Sequence, residues 1–575
     1  MLDRVNKELV PMKAHFFLWN AGTGPVVSYL STYAKQMGFS GTTVGIIYTI
    51  LPICGMVAKP LVGGIADKFL WQKKIFLFSQ LLTAAAFIAI LYSPTIDNNM
   101  EFTCDSGELA VNTVNVTANT NLLDQLREKV EFVECQMNCL SHPTFLKKLC
   151  KGTDNKDHCD ATIADDKINI DVVLDSSSGW LVTENVFFKV VNVSVNKGDV
   201  FHPLCANLTS TSCQSTCNDV NLNMLASNSS KIENAASLYQ FWVLLILMII
   251  GWVGQAVVVS VGDAICFGML GDKPHRYGYQ RLFGALGWGI MSTIAGFIID
   301  AMSGNSSVKD YTGAFYLGVA FLVLDFIVSS RLQYTQSNKS SSILRDVFPL
   351  LKDVRICVFL LWCIAIGMCT ALVWNFLFWL IDELAEIQGI TETKTIQGLT
   401  MAIQCLCGEL PFFFLSGFIL NRIGHVHSMS LILLVVGCRF ILYSFIENPW
   451  WLLPIEVSNG LTFGLAYACM ASYASIVAPA GTEATMQGMV GAIFEGVGVS
   501  LGSLMAGNLF DKYGRNTFRF FGIGALIACL VHAGVQFLLS RKGNAKDSDF
   551  DTKYMHPNEK ATGLEDDQKE LTIVN

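Results

Sequence analysis

The chain is 575 residues long, 52% apolar and only 15% charged, with a formal net charge of −8 at pH 7. So few ionic groups cannot cover a soluble chain of this length, and the apolar residues fall in blocks long enough to cross a bilayer. The composition excludes a soluble globular enzyme and offers no basic surface for nucleic acid; much of the acid sits in one polar insert and the tail.

Twelve membrane spans are predicted, at about 15–36, 42–66, 74–93, 237–262, 279–299, 313–332, 355–381, 396–420, 428–446, 450–475, 485–509 and 518–540. Lys13 leads into an apolar run too long and too Gly-rich for a cleavable signal, and no small-residue cleavage site follows, so the first span is expected to act as its own insertion signal. With the N-terminus in the cytoplasm, Lys68, Lys73, Lys74, Lys273, Arg276, Arg331, Arg345, Lys352, Arg355, Arg422, Arg541 and Lys542 all lie inside, as the positive-inside rule asks. Lys512, Arg515 and Arg519 fall outside.

The spans divide the chain into residues 1–93 and 237–332 as one bundle, 355–540 as a second, a cytoplasmic linker 333–354 and a disordered cytoplasmic tail 541–575. Between spans three and four lies an insert, 94–236, placed outside. It carries glycosylation acceptors at Asn115, Asn192, Asn207 and Asn228, and Asn305 in the next outer loop is a fifth. Eight of the 18 cysteines are there: Cys104, Cys135, Cys139, Cys150, Cys159, Cys205, Cys213 and Cys217. Sequons and cysteines in one compartment fit four disulfides, with the pairing open. Residues 167–197 alternate apolar and polar and read as strands. The expected ectodomain is small, disulfide-stapled and partly β.

One short phrase recurs. Gly63 precedes Asp67 and Lys68; Gly296 precedes Asp300; Gly417 precedes Asn421 and Arg422; Gly507 precedes Asp511 and Lys512. Each copy closes an apolar segment. Gly507 follows Gly417 by 90 residues, and Gly63 and Gly296 are equally spaced once the insert is removed. A three-helix unit used four times explains the spacing, and inverted units put successive copies on opposite faces. That inversion accounts for the outer basic residues. Glycine allows close helix approach, and a carboxylate at a helix end can pair with a base or cap a neighbouring helix N-terminus. Gly63, Asp67, Lys68, Gly417, Asn421 and Arg422 are read as a cytoplasmic gating motif, with Asp67 and Lys68 joined in a latch.

Ionisable groups inside spans are costly and usually functional. Glu409, Glu495, Arg439, Glu456 and Asp325 are the proton-coupling candidates. Arg439 and Glu456 lie at matched depth and are expected to pair. A coupling carboxylate needs a proton affinity that changes with the side that is open, and Glu409 and Glu495 suit that best. Asn20, Gln255, Trp374, Asn375 and Gln404 are the candidates for the solute cavity; Trp374 could stack on a ring or sugar face. Arg281 and Gln487 open matched spans and are read as ties between helix ends. His425 and His427 lack a third metal ligand, Cys405 and Cys407 sit in an apolar helix, and there is no phosphate-binding Gly-rich loop. No cofactor, metal or catalytic residue is expected.

Twelve spans, two halves and the Gly63–Lys68 phrase with Lys73 and Lys74 beyond it resemble the major facilitator superfamily. Two longer phrases narrow this: YGYQRLFGALGWG from Tyr277 to Gly289, and APAGTEATMQG from Ala478 to Gly488. Both, with the long loop after span three, resemble the family of major facilitator superfamily domain-containing protein 6, also called macrophage MHC class I receptor 2 homologue. Asn421 stands where that phrase usually has Asp. The resemblance implies an all-α membrane protein of 12 transmembrane helices in two six-helix bundles around a central cavity. It implies alternating access around that cavity but does not supply the substrate, which is expected to be a small polar solute; its bacterial relatives include galactoside and nucleoside proton symporters. Lipid, solute and H+ are the expected partners, in the plasma membrane or an endosomal or lysosomal membrane. The alternative is a cell-surface receptor or adhesion protein that binds an extracellular protein ligand through the insert.

Overall fold

The computed structural model describes residues 9–95, 99–105, 108–113, 132–140, 167–182, 185–195, 200–203, 211–219, 222, 235–270, 277–304, 308–332, 354–478 and 483–542. The first half holds α1 (Val10–Val27), α2 (Leu30–Gln36), α3 (Gly41–Lys68), α4 (Gln72–Leu91), α5 (Tyr239–Leu270), α6 (Tyr277–Ser303) and α7 (Thr312–Ser330). The second holds α8 (Val354–Ile387), α9 (Thr393–Ile423), α10 (His425–Tyr443), a short helix Leu452–Glu456, α11 (Gly460–Val477), α12 (483–513) and α13 (Asn516–Lys542). Among the described residues, eleven helices are long and apolar enough to cross a membrane. The first expected span, 15–36, is not one of them: Lys13, His15, Asn20 and the Gly/Thr/Pro run make α1 too polar, and the span breaks into α1 and α2. Pro25 supplies no N–H and crowds the preceding turn, and the helix stops at Val27. The break turns Tyr29, whose hydroxyl donates to the carbonyls of Ser292 (2.8 Å) and Lys394 (3.2 Å).

Within the first half, α1 packs on α6 and α7, and α4 and α3 pack on α5; within the second, α10 packs on α13, α8 on α12, and α9 on α11. The halves meet along two seams, α3 against α12 and α6 against α9. Three helices of the second half leave α geometry: Ile403–Glu409 in α9, Gly460–Leu465 in α11 and Ala492–Val499 in α12 are π-helical. Such widened turns concentrate at functional sites.

Between α4 and α5, six antiparallel strands form a closed barrel in the order β1-β2-β5-β4-β3-β6. They are β1 (Asn99–Asp105), β2 (Glu108–Thr113), β3 (Phe132–Leu140), β4 (Lys167–Val182), β5 (Asn185–Val195) and β6 (Thr211–Cys217). The alternation expected at 167–197 is β4 and β5, with Ile168, Ile170, Val172, Val186, Phe188 and Val190 turned inward. Two disulfides, Cys135–Cys217 and Cys139–Cys213, join directly opposed residues of β3 and β6. Of the sequons, Asn192 lies on β5 opposite Val173. Asn115, Asn207, Asn228, Asn305, Cys150, Cys159, Cys205, the Cys104 side chain, the linker and the tail from 543 fall outside the described residues.

Candidate functional site: charged groups between the halves

The second half carries a buried polar network. Arg439 of α10 donates from Nε to the Tyr443 hydroxyl (2.6 Å), and from one terminal nitrogen to Asn459 (2.9 Å) and Thr462 (2.6 Å). Its other terminal nitrogen pairs with Glu456, which also accepts from Tyr443 and from Gln404 Nε2 (2.6 Å). Arg439 and Glu456 are both buried. So many bonds fix the guanidinium and balance its charge, as a buried ion requires.

This network reaches Glu409 through one residue. Asn459, at the start of the π segment of α11, donates from Nδ2 to Glu409 Oε1 at 3.2 Å. Glu409 is half-buried and ends the π segment of α9. The two segments approach closely because Gly460 has no side chain: a Cβ there would stand 2.1 Å from the Phe412 ring and 2.6 Å from the Gly408 carbonyl. Beside them, within the second half, is a small recess lined by Trp374, Arg439, Asn459, Thr462 and Phe463 and by apolar groups of α8 and α10. Trp374 is 42% exposed and meets the Phe463 ring edge-on at 5.8 Å.

Glu495 lies in the third π segment and faces the other half. Lys59 of α3 places Nζ 3.0 Å from Glu495 Oε2, and the two side chains are 36% and 45% exposed. This is an ion pair between the halves, with both side chains partly uncovered by protein. Asp325 lies apart from these groups, inside the first half. It accepts from His15 Nδ1 (2.9 Å), Gln80 Nε2 (2.8 Å) and Ser329 Oγ (3.3 Å), all buried.

The other candidates scatter. Gln404 belongs to the Glu456 network. Asn375 is buried and donates to Ser503 Oγ of α12 (2.8 Å), outside the recess. Asn20 donates to its own helix at Phe16 (2.8 Å), and Gln255 is half-buried on α5. Arg281 meets Asp263 at 3.3 Å and Gln487 donates to Ser475 at 2.7 Å, each tying two helix ends. Lys59, His15, Gln80, Asn459, Thr462 and Tyr443 were not singled out by sequence. Lys59 carried a signal, a cation in the middle of an apolar span.

The phrase copies behave in two ways. On the face that carries the barrel, Asp511 of α12 accepts from the backbone nitrogens of Gly41 and Thr42 (2.7 Å each) and from the Thr42 hydroxyl (2.6 Å), at the start of α3. Asp300 of α6 accepts from the backbone nitrogen of Thr395 (2.6 Å), in the first turn of α9, and lies 3.2 Å from Lys309 Nζ. On the opposite face, Cβ atoms at Gly63 and Gly417 would meet nothing within 4 Å. Lys68 lies over the Phe69 ring and Arg422 over Phe418, each beside its own helix, and Asn421 is exposed. The Asp67 side chain falls outside the described residues.

Two helical halves, with eleven helices among the described residues long and apolar enough to cross a bilayer, define a multi-pass membrane protein. Residues 9–520 match the MFS_1 like family, and the chain belongs to it. It is 21% identical over 556 residues to major facilitator superfamily domain-containing protein 6-like protein A of Xenopus laevis, covering 88% of this chain and 87% of that one. It is 24% identical over 304 residues to the maltose permease of Geobacillus stearothermophilus, covering 52% and 72%. Among solved structures, the nucleoside transporter NupG superposes with a TM-score of 0.55 at 14% identity, over 92% of this chain and 99% of that one. A D-xylose-proton symporter superposes with a TM-score of 0.52 at 9% identity, over 91% and 96%. These are transporters and not enzymes, and nothing in the site asks for catalytic chemistry.

Proposed function

We propose that this protein is a secondary active transporter that moves a small polar solute by alternating access, with a proton as the coupling ion. It has twelve spans, counting the broken α1–α2 as the first, with both termini cytoplasmic and the glycosylated barrel outside. The observation that carries the reading is the asymmetry between the faces. Polar groups seal the halves together on the barrel face, the glycines of the phrase copies on the other face touch nothing across the seam, and between the faces the Lys59–Glu495 ion pair joins the halves. That is the arrangement of a carrier open to the cytoplasm. The named sugar and nucleoside carriers among its relatives and structural neighbours favour a small polar solute.

Glu409 and Glu495 are the coupling residues of this reading. Glu495 exchanges between Lys59 and a proton when the halves move. Among the described residues, the one hydrogen bond of Glu409 is to Asn459, so a proton can reach it without breaking an ion pair. Arg439 and Glu456 position Asn459 and the recess, and Trp374 with Phe463 offers a flat apolar wall for a ring.

The test is uptake by purified protein in sealed vesicles, with maltose, a nucleoside, a dipeptide and D-xylose as probes, with and without a pH gradient. One probe should accumulate with the gradient, and Glu495→Gln should abolish the gradient-driven part while leaving protein level unchanged. Equal, gradient-blind leakage of all four would refute the reading. The second reading, a receptor, is favoured by one observation, a closed disulfide-stapled ectodomain. Replacing residues 98–232 by about ten Gly/Ser residues, which span roughly 15–20 Å, separates the two: transport survives in the first and partner binding is lost in the second.

A further inference from the structure

We infer that the two phrase copies on the barrel face, Gly296–Asp300 and Gly507–Asp511, form the outer gate, each working as one device in which the glycine seats the seam and the carboxylate locks it. This rests on the alternating-access reading and adds the parts that close the outer side.

Each copy does two things at once. Its glycine lets the halves touch. A Cβ at Gly507 would stand 2.3 Å from the Gly41 carbonyl, and one at Gly296 would stand 2.1 Å from the Lys394 carbonyl and 2.5 Å from the Tyr29 hydroxyl. Its aspartate, four residues on, caps a helix that belongs to the other half. Asp511 takes the two backbone N–H groups at the start of α3; Asp300 takes that of Thr395 in the first turn of α9. These groups have no partner within their own helices, and a carboxylate there also meets the positive end of the helix dipole. The lock is therefore made of backbone as much as side chain, and it forms only when the halves are together.

The two seams are related by the repeat. The helix that ends span five caps the start of span eight, and the helix that ends span eleven caps the start of span two. Around each lock lie further cross-half bonds. Thr49 donates to the Ser500 carbonyl (3.0 Å) and Ser500 to the Thr49 carbonyl (2.9 Å) on one seam. Thr293 donates to the Gly398 carbonyl (2.9 Å) and Lys309 to the Thr391 carbonyl (2.8 Å) on the other. At Gly63 and Gly417, which have the same spacing, an added Cβ would meet nothing within 4 Å, so the spacing alone does not create the contact. What differs is which face is shut.

The experiment reads opening from outside. Thr49→Cys places a thiol inside the seam, about 12 Å below the start of α3 at 1.5 Å per residue. Its labelling by a membrane-impermeant maleimide at the surface of intact cells is measured above that of the parent chain. Asp300→Ala and Asp511→Ala should each raise the rate about fivefold, the effect of one lost helix cap. Together they should raise it about 25-fold, because distant sites act independently. Gly296→Ala and Gly507→Ala should raise it as well, by wedging the seams, whereas Gly63→Ala should not. Surface level and melting temperature are followed for every variant; where an alanine variant fails to reach the surface, Asp300→Asn and Asp511→Asn are read in its place. An Asp double variant at normal surface level that labels no faster than the parent overturns the proposal, as does a rise produced by the glycine variants alone. Uptake is measured on the unmodified chain, so a failed gate leaves the transport test standing, and a failed transport test leaves the labelling result readable.

Discussion

Each half of the molecule buries a charged cluster away from the seams, and the two are built differently. In the first half, Asp325 is held by His15, Gln80 and Ser329 from three regular helices, with Phe76 set against the imidazole at 4.9 Å. The cluster is closed on every side that the structure describes. In the second half, Arg439 and Glu456 are as deeply buried, but their network runs through Asn459 and Thr462 to the recess and to Glu409. Two of the helices that carry it are locally π. Burial alone does not separate a fastener from a working site. The separating feature is a polar path from the buried charge to a recess at the protein surface.

That comparison can be broken at its strongest point first. Arg439→Gln leaves the Glu456 charge buried with only Tyr443 and Gln404, and should destabilise the fold by about 3–5 kcal/mol. Thermal melting in detergent measures it. The double variant Arg439→Gln with Glu456→Gln should recover a large part of the loss; a double variant as unstable as the single one would mean that the pair is not the cause.

A middle-sized effect is expected in the first half. Asp325→Asn keeps the shape but weakens the bond from His15, at a cost of about 1–3 kcal/mol. Uptake per folded molecule should stay within twofold of the parent chain. A variant that melts normally but loses gradient-driven uptake would move Asp325 from fastener to coupling residue.

The smallest change in stability belongs to Glu495→Gln. Its pair with Lys59 is more than a third exposed on both sides, and such pairs contribute about 0–1 kcal/mol. Melting should hardly move while gradient-driven uptake is lost. A large drop in melting temperature would show that the pair is structural and sharpen the case for Glu409 alone.

Much of this architecture is legible in the residues. The apolar blocks mark the spans, and the polar insert stands out between them. Arg439 and Glu456 can be matched by depth because a buried charge needs a partner at its own level. The break in span one is harder to see, since Pro25 is tolerated in many transmembrane helices and only the turn of Tyr29 toward Lys394 shows what the break is for. Lys59, His15 and Asn459 acquire meaning only from partners 436, 310 and 50 residues away, a separation no local pattern carries. The π segments have no periodic signature, and their glycines read as packing. The barrel was half visible. β4 and β5 alternate cleanly, but β6 reads TSCQSTC, and its inward positions, Cys213, Ser215 and Cys217, do not look like a core until β3 is laid beside them.

The barrel begins and finishes in neighbouring strands, since β1 pairs with β6, and it hangs between α4 and α5, two helices of the same half that pack on each other. Its tethers therefore never straddle the moving seams. On the alternating-access reading, both chain connections of the barrel travel with one half, so an antibody or ligand gripping the barrel gains no lever across the seams through the chain.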